Sequence, residues 1–482
     1  MTPIGLLGVL VFTLAATRGL RLAFLAVLLA LPFGATAAVT AGPMTLLLAH
    51  MLGLMLAGLV GLRWLAGGAV LAPLQLHPAT LLLGSLTIWC ALSGFALPRL
   101  LAGEVMVVPA NMGEGMFGVD PAFGTYVRPL APSSGNVSQV TKAGIVLVIF
   151  VAALSVLWQA SPRLARRAVI GVAVVHLGLT GAQLALGDAF SSFVHTADYV
   201  IHAEQTFAGM RRVIGGFAEP SVHGGFSVAL YGYFLASAIS GGRGADVVGA
   251  GVCGLLCLAS LSSTAIAVFG LVSAVGLLSL SARLVRGRMR TETLTRLMVG
   301  GSVLGALFVL LGGVGLMVSV VDGLLLSKAS SASGLERGYW ARHGFDVFWQ
   351  TGFLGAGMGS VRSNGLFAAI AGNLGLPGLV LSLAFLAVVL APLPAHAKRR
   401  PGGDPGDAAT FEGLRAAVAS LVCAASLSAT GAGLGLGLVL FSALTVATRH
   451  TLGVQNSREV TRTVSPGSIA APGSTATGLS VV

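Results

Sequence analysis

Residues that could bind a charged group are concentrated in one polar stretch between two hydrophobic segments. Glu336–His343 (ERGYWARH) is followed by Gly355–Arg362 (GAGMGSVR). Arginine forms bidentate hydrogen bonds with phosphates, and glycine lets the backbone approach a bound anion closely. We therefore expect most of the chemistry of this chain in this stretch, at a membrane surface where anionic head groups can be bound.

A second group of candidate residues lies around the start of another hydrophobic segment: Arg211, Arg212, Glu219, Ser221 and His223. The following proline biases Glu219 towards extended backbone, and Ser221 can cap the helix that begins there. A carboxylate or a neutral imidazole within hydrogen-bond reach can take a proton from an attacking hydroxyl. Glu219 and His223 are therefore candidate general bases.

The composition indicates that membrane-spanning helices hold these residues. Hydrophobic residues make up 55% of the chain and charged residues 9%, with a mean hydropathy of +0.91, which exceeds what a water-soluble core needs. Apolar stretches suited to spanning lie near 3–17, 22–39, 44–62, 78–98, 142–160, 168–187, 222–240, 245–260, 264–281, 297–319, 364–391, 413–429 and 432–448. We predict an all-α, polytopic membrane protein with about 12 or 13 transmembrane helices.

The distribution of arginine and lysine predicts the orientation of these spans, because cytoplasmic loops hold an excess of both. The basic residues fall on alternate loops, which places the N-terminus outside and the C-terminus inside. The external loops are then residues 99–141, 188–221 and 320–363, and the last two hold the candidate residues. Residues 1–450 form the membrane domain, and the tail at 451–482, rich in Ser, Thr, Gly and Pro, is predicted to be disordered and cytoplasmic.

Charge and cysteine usage disfavour several classes of protein. The net charge of +12 requires no nucleic-acid partner, because basic residues anchor membrane proteins beside anionic lipid. Every Asp and Glu falls in a predicted loop or at a helix end, whereas ion-coupled transporters keep ionisable groups within the membrane. The four cysteines lie inside hydrophobic spans, so no disulfide framework is indicated. We expect no cofactor and no metal.

The order of the motifs resembles the bacterial Wzy-type polysaccharide polymerases and their O-antigen ligase relatives, and above all the exopolysaccharide repeat-unit polymerases. The motifs are Arg212-x-x-Gly-Gly-Phe-x-Glu-Pro-Ser221, Leu261–Ala265, Arg337 with Trp340, Gly355–Ser363 and Gly372–Gly378. Residues 1–450 are compatible with this family in span number, while the discriminating residues lie at 210–223 and 333–378.

The resemblance implies metal-independent glycosyl transfer on the periplasmic face of the bacterial inner membrane. The donor and the acceptor would be polyprenyl-diphosphate-linked oligosaccharides, beside membrane lipid and a chain-length regulator of the same assembly pathway. Arg212 and Arg337 are implied to act in catalysis with Glu219 and His223. The expected substrate-binding residues are Arg211, Arg342, Arg362, His343, Trp340, Ser221, Ser363 and Asn364.

Other interpretations of these residues stay open. The arginines could form ion pairs with Glu204, Asp322, Glu336 or Asp346, and Glu219 could form a structural salt bridge with Arg212. The ligases carry a histidine where this chain has Asn364, which cannot act as a general base. This departure favours a polymerase over an O-antigen ligase. A flippase or transporter of lipid-linked oligosaccharides is the other alternative.

Overall fold

The computed structural model describes residues 1–41, 44–67, 77–110, 118–119, 126–158, 160–197, 206–207, 210–287, 291–310, 332–394 and 404–464. Helices dominate, which confirms the predicted fold class. The helices are α1 (Pro3–Arg18), α2 (Leu20–Leu29), α3 (Leu48–Leu65), α4 (Pro78–Leu100), α5 (Ser134–Leu157), α6 (Pro162–Leu186), α7 (Asp188–Val194), α8 (Pro220–Ile239), α9 (Gly244–Ala259), α10 (Ser263–Val285), α11 (Thr291–Leu310), α12 (Ala332–Gln350), α13 (Leu366–Leu390), α14 (Pro405–Ser428) and α15 (Leu436–Val464). Short strands pair as β1 (Ala37–Ala41) with β2 (Met44–Leu47), as β5 (Tyr126–Pro129) with both β3 (Met106–Val107) and β4 (Gly118–Val119), and as β6 (Thr206–Phe207) with β7 (Met210–Arg211).

Nine helices in the described parts of the chain are long and apolar enough to cross a membrane. They are α3, α4, α5, α6, α8, α10, α13, α14 and α15. The helices α1, α2 and α9 are apolar but shorter, which is why the sequence predicted a larger number of spans. Every predicted span overlaps one helix. The chain is a multi-pass helical membrane protein.

The predicted second span is wrong in its second half. It was expected to continue to residue 39, whereas α2 ends at Leu29 and the chain then forms the antiparallel pair β1–β2. Pro32 has no backbone N–H to continue a helix, and the β-branched Val39 and Thr40 favour a strand. The third span accordingly begins at Leu48 rather than at residue 44.

The third external loop contains a segment that descends beside α13. Ser363 Oγ donates to the carbonyl of Trp340, near the start of α13, whereas the carbonyl of Phe353 accepts from Leu376 N, ten residues further along. With a rise of about 1.5 Å per residue, this segment reaches roughly 15 Å along the axis of α13. Trp349 lies there with 63% of its surface exposed, as expected for a side chain that faces lipid. The prediction that 320–363 is entirely an external loop is therefore wrong.

The most enclosed span is α8, which packs against α9, α10 and α14. Its Tyr233 is fully buried, and at its far end Ser237 donates to Asp246 Oδ2. Asp246 also forms a buried salt bridge of 2.8 Å with Arg166 of α6. A buried charge is tolerated when it is paired and hydrogen-bonded in this way. This network holds α6, α8 and α9 together at the predicted cytoplasmic end.

The predicted tail begins inside a helix. The last helix, α15, continues to Val464 instead of ending near residue 450, because the chain has no proline between Leu436 and Pro466 to interrupt it. The remainder of the predicted tail, 465–482, lies outside the described residues.

Candidate functional site

Three arginines from separate segments act on one another at the predicted external side of the molecule. Burial lowers the pKa of Arg212, Arg337 lowers it further, and Glu219 raises it. Burial also lowers the pKa of Arg362, which Glu336 and Glu219 raise and Arg337 lowers. The structure therefore brings Arg212, Arg337 and Arg362, which we call the arginine cluster, together around Glu219.

Within the described residues, Arg337 has no hydrogen-bond or ion-pair partner. Its guanidinium lies close enough to Arg212 and Arg362 to disfavour their charged forms. Like charges held together in a partly buried place favour the binding of an anion between them. The arrangement suits a ligand with several negatively charged oxygens.

Arg362 is fixed by an aromatic ring and by the backbone. Its guanidinium carbon lies 4.4 Å from the ring centroid of Trp340, a cation–π contact. Its backbone N–H donates to the carbonyl of Val108 at 2.8 Å. The stacked ring orients the guanidinium plane, so Trp340 acts on the site through Arg362.

The glycine-rich segment does not bind an anion through its own backbone, contrary to the sequence-based expectation. Gly355, Gly357 and Gly359 are buried and adopt positive φ angles of 77°, 97° and 84°. A Cβ at Gly357 would lie 2.6 Å from the carbonyl oxygen of Ser93 in α4. These glycines allow the chain to pack tightly against its neighbours, and only Arg362 at the end of the segment reaches the cluster.

Asn373 holds this segment in place, a role that was not predicted. Its Oδ1 accepts hydrogen bonds from the backbone N–H groups of Gly359, Ser360 and Val361 at 3.0, 3.1 and 3.1 Å. Its Nδ2 donates to the carbonyls of Val361 and Ala369. Irregular backbone at membrane depth requires such internal partners. A polar side chain inside an apolar span was the signal that could have identified it.

The first external loop also supports the site, although its residues were not predicted to take part. Asn136 Nδ2 donates to the carbonyl of Met358 at 2.8 Å and to Ser360 Oγ at 2.9 Å. The backbone of Val108 accepts from Arg362 N and donates to His343 Nε2. No local pattern in the sequence indicates contacts over such separations.

Glu219 occupies the N-cap position of α8 with extended backbone, as Pro220 predicted. Its carboxylate does not cap the helix, and Ser221 Oγ donates to Glu219 Oε2 at 3.0 Å. Ser221 was expected to cap α8, and instead it orients the carboxylate. Because the carboxylate is partly exposed, it can be approached by a hydroxyl group from the external side.

The structure removes His223 from the site. Its side chain is 0% exposed and its ring centroid lies 4.6 Å from that of His176 in α6. Gly215 covers it so closely that a Cβ there would lie 2.8 Å from His223 Nδ1. A residue three positions into α8 points into the bundle, so His223 cannot reach a substrate hydroxyl on the external face.

The loop before α8 is fastened to the helix bundle by Gln183. Gln183 Oε1 accepts from the backbone N–H groups of Ile214 and Gly215 at 3.0 and 2.7 Å. His195 Nε2 lies 2.8 Å from the carbonyl of Gly215, and burial lowers the pKa of His195. These contacts fix the backbone between Arg212 and Glu219.

Two predicted substrate-binding arginines lie away from the cluster. Arg211 is partly exposed and forms a 2.7 Å salt bridge with Asp188. Arg342 is exposed, and its position five residues after Arg337 turns it about 140° around α12. Neighbours in sequence are not neighbours in space on a helix, which explains why these two predictions are wrong.

The other predicted substrate-binding residues support the backbone. His343 Nε2 accepts from Val108 N at 3.1 Å, and the His343 ring stacks on Tyr339. Ser363 is fully buried with its hydroxyl on the carbonyl of Trp340, and Asn364 Nδ2 donates to the carbonyl of Leu427. These contacts place the start of α13 against α12 and α14.

Of the carboxylates considered as ion-pair partners, Glu204 and Asp322 lie outside the described residues. No protein-family model matches this chain, and a comparison with curated proteins finds no match either. The geometry thus stands alone: a partly buried arginine cluster beside one carboxylate, held at the ends of membrane helices. The chain is a multi-pass helical membrane protein.

Proposed function

We propose that this protein is a polysaccharide polymerase that joins polyprenyl-diphosphate-linked oligosaccharide repeat units into an exopolysaccharide or O-antigen-like polymer. The observation that carries the proposal is the grouping of Arg212, Arg337 and Arg362 around Glu219. The motif order described above gives the substrate class, and the arrangement of charges suits it.

The arginine cluster would bind the diphosphate of the donor. Guanidinium groups form paired hydrogen bonds with phosphate oxygens, and several can share one diphosphate. As the bond between the sugar and the diphosphate breaks, negative charge grows on the leaving group. Fixed positive groups stabilise that charge in the transition state, which lowers the barrier.

Glu219 would act as the general base. The acceptor hydroxyl oxygen attacks the anomeric carbon of the donor, the new glycosidic C–O bond forms, and the C–O bond to the diphosphate breaks. The proton of the hydroxyl passes to the Glu219 carboxylate, and the polyprenyl diphosphate leaves with the bonding electrons. Ser221 orients the carboxylate for this step.

The cellular setting follows from the same proposal. The reaction would take place on the periplasmic face of a bacterial inner membrane, where the lipid-linked donor and acceptor are held in the bilayer. A chain-length regulator of the same assembly pathway would act with the protein. The direct contact would be with lipid-linked sugars and membrane lipid.

Substitution of single arginines by lysine tests the diphosphate clamp. Lysine keeps the charge but loses the planar fork, so R212K, R337K and R362K should each lower the polymerisation rate about 100-fold. The assay uses purified full-length protein and the lipid-linked repeat unit that accumulates in a strain lacking it. R342K is the matched control for R337K, because both lie on α12, and it should keep the wild-type rate. Equal rates for R337K and R342K would refute the clamp.

A further inference from the structure

A cavity of about 630 Å³ lies at the opposite end of the molecule from the arginine cluster. It is bounded by the start of α4, the end of α13 and the C-terminal half of α15, with His77, Arg449 and His450 among its lining residues. The remaining wall is mostly aliphatic, including Ala387 and Val446. The basic loops predict that this end of the helices faces the cytoplasm.

Trp158 holds the two imidazole rings of the cavity. The ring of His450 stacks on Trp158 with centroids 3.9 Å apart, and that of His77 meets it edge-on at 5.6 Å. His77 Nδ1 accepts from Ala79 N at 3.2 Å, so the neutral ring carries its proton on Nε2. His77 Nε2–H is therefore a donor that the cap of α4 does not use.

Arg449 adds a permanent charge to the same wall. One of its terminal nitrogens donates to the carbonyl of Val388 at 3.1 Å, and no other hydrogen bond of this guanidinium is made to the described residues. Burial, His450 and Arg449 all lower the pKa of His77. The three groups therefore share one low-polarity space, and each would be stabilised by an anion placed among them.

We infer that this cavity binds a lipid phosphate, that is, a phosphate head group attached to a hydrocarbon chain. His77, Arg449 and His450 would contact the phosphate oxygens. The chain would lie on the aliphatic wall formed by α13 and α15. This inference does not rest on the proposed polymerase function.

A lipid is favoured over a soluble phosphate by the position and the lining of the cavity. It lies where membrane spans end, and the cytoplasmic leaflet is rich in anionic lipids that basic residues attract. A soluble anion gains nothing from the aliphatic wall, whereas burial of each methylene group of a lipid chain is favourable. The lining is therefore complementary to both parts of an anionic phospholipid.

Native mass spectrometry of the purified full chain tests the inference. Phosphatidylglycerol should remain bound in preference to phosphatidylcholine with the same acyl chains. R449Q should weaken phosphatidylglycerol binding about fivefold, the effect of losing one basic contact of about 1 kcal/mol. R415Q is the matched control, because Arg415 also donates to a carbonyl at the end of α13 but does not line the cavity.

If R449Q is not recovered from the membrane, A391F provides the second test, because a phenyl ring at Ala391 fills the cavity and should abolish the preference. Equal binding of the two phospholipids would overturn the inference. So would an equal loss in R415Q. Glycerol phosphate that competes as well as the intact lipid would show a soluble-anion site and would overturn the role of the chain.

Discussion

Glu219 is oriented by one short contact, the hydroxyl of Ser221 at 3.0 Å, whereas the residues that surround it are fixed by several. Arg362 is held by the Trp340 ring and by Val108, and the loop before Glu219 by Gln183. A base must be free to approach and leave its substrate hydroxyl. A charge clamp must instead be fixed before the charge develops, so the observed difference agrees with the roles proposed for these residues.

Replacement of Glu219 by glutamine should abolish proton transfer and leave donor binding in place. The amide keeps the shape and the hydrogen-bonding capacity of the side chain but cannot accept the proton, so E219Q should lower the polymerisation rate roughly 100- to 10,000-fold. The measurements are the polymerisation rate and lipid-linked donor binding by purified protein.

Glu336 provides the matched carboxylate. It is exposed and also acts electrostatically on Arg362, so E336Q should lose far less activity than E219Q. A near-normal rate for E219Q would exclude Glu219 as the base. Loss of donor binding in E219Q would instead show that the carboxylate has a structural role.

At the scale of elements, the re-entrant segment after α12 depends on α13. Three consecutive backbone N–H groups, from Gly359 to Val361, are satisfied by the single carbonyl oxygen of the Asn373 side chain. Ala356 N and Gly357 N donate to the carbonyls of Gly372 and Asn373. The segment is thus built onto one face of α13, and Arg362 inherits its position from it.

Removal of the Asn373 side chain should destabilise the protein strongly. N373A leaves three buried N–H groups without their acceptor, at about 1–3 kcal/mol each, so the free energy of unfolding should fall by at least about 3 kcal/mol. N364A is the control, since Asn364 is partly exposed and makes one hydrogen bond, to Leu427. Thermal unfolding in detergent would measure both. Equal melting temperatures for the two variants would contradict the role assigned to Asn373.

The glycine-rich segment should tolerate no side chain at Gly357. G357A places a Cβ 2.6 Å from the Ser93 carbonyl oxygen at a φ of 97°, so backbone strain alone should cost about 1–2 kcal/mol. G338A is the opposite case, because Gly338 lies in α12 with nothing within 4 Å of the added Cβ, and it should stabilise the helix by about 1 kcal/mol. A lower melting temperature for G338A than for G357A would refute this assignment.

At the scale of the whole molecule, two ends of different character are joined by the spans. The arginine cluster and Glu219 lie where α8 and α13 begin, and the cavity with Arg449 lies where α13 ends. The predicted orientation places the first end outside and the second end in the cytoplasm. The polymerase proposal requires this orientation.

Cysteine labelling tests the orientation and the re-entrant segment together. In a background that lacks the four native cysteines, G338C should react with a membrane-impermeant thiol reagent added outside spheroplasts. L354C should remain unlabelled although Leu354 is 43% exposed, because that surface faces hydrocarbon and a thiol reacts only as a hydrated thiolate. Labelling of G338C only after permeabilisation would reverse the topology and exclude a periplasmic site.

Much of the fold could be predicted because hydropathy over about 20 residues is a local property. Every predicted span overlaps a helix, and the main error, at β1 and β2, lies where Pro32 interrupts an apolar run. The descent of the chain after Trp340 was not predictable in this way. Its polar and glycine-rich sequence is typical of a loop, and only the contacts with Asn373 and Asn136 keep it inside the protein.

The sequence by itself determined that the chain is a multi-pass membrane protein, and it identified Arg212, Arg337, Arg362 and Glu219 as candidates. Only the tertiary structure decided that these four lie together while His223 and Arg342 do not. The physical reason is that residue type is read along the chain, whereas the direction of a side chain depends on how its helix is rotated. Packing and hydrogen bonds between distant segments set that rotation.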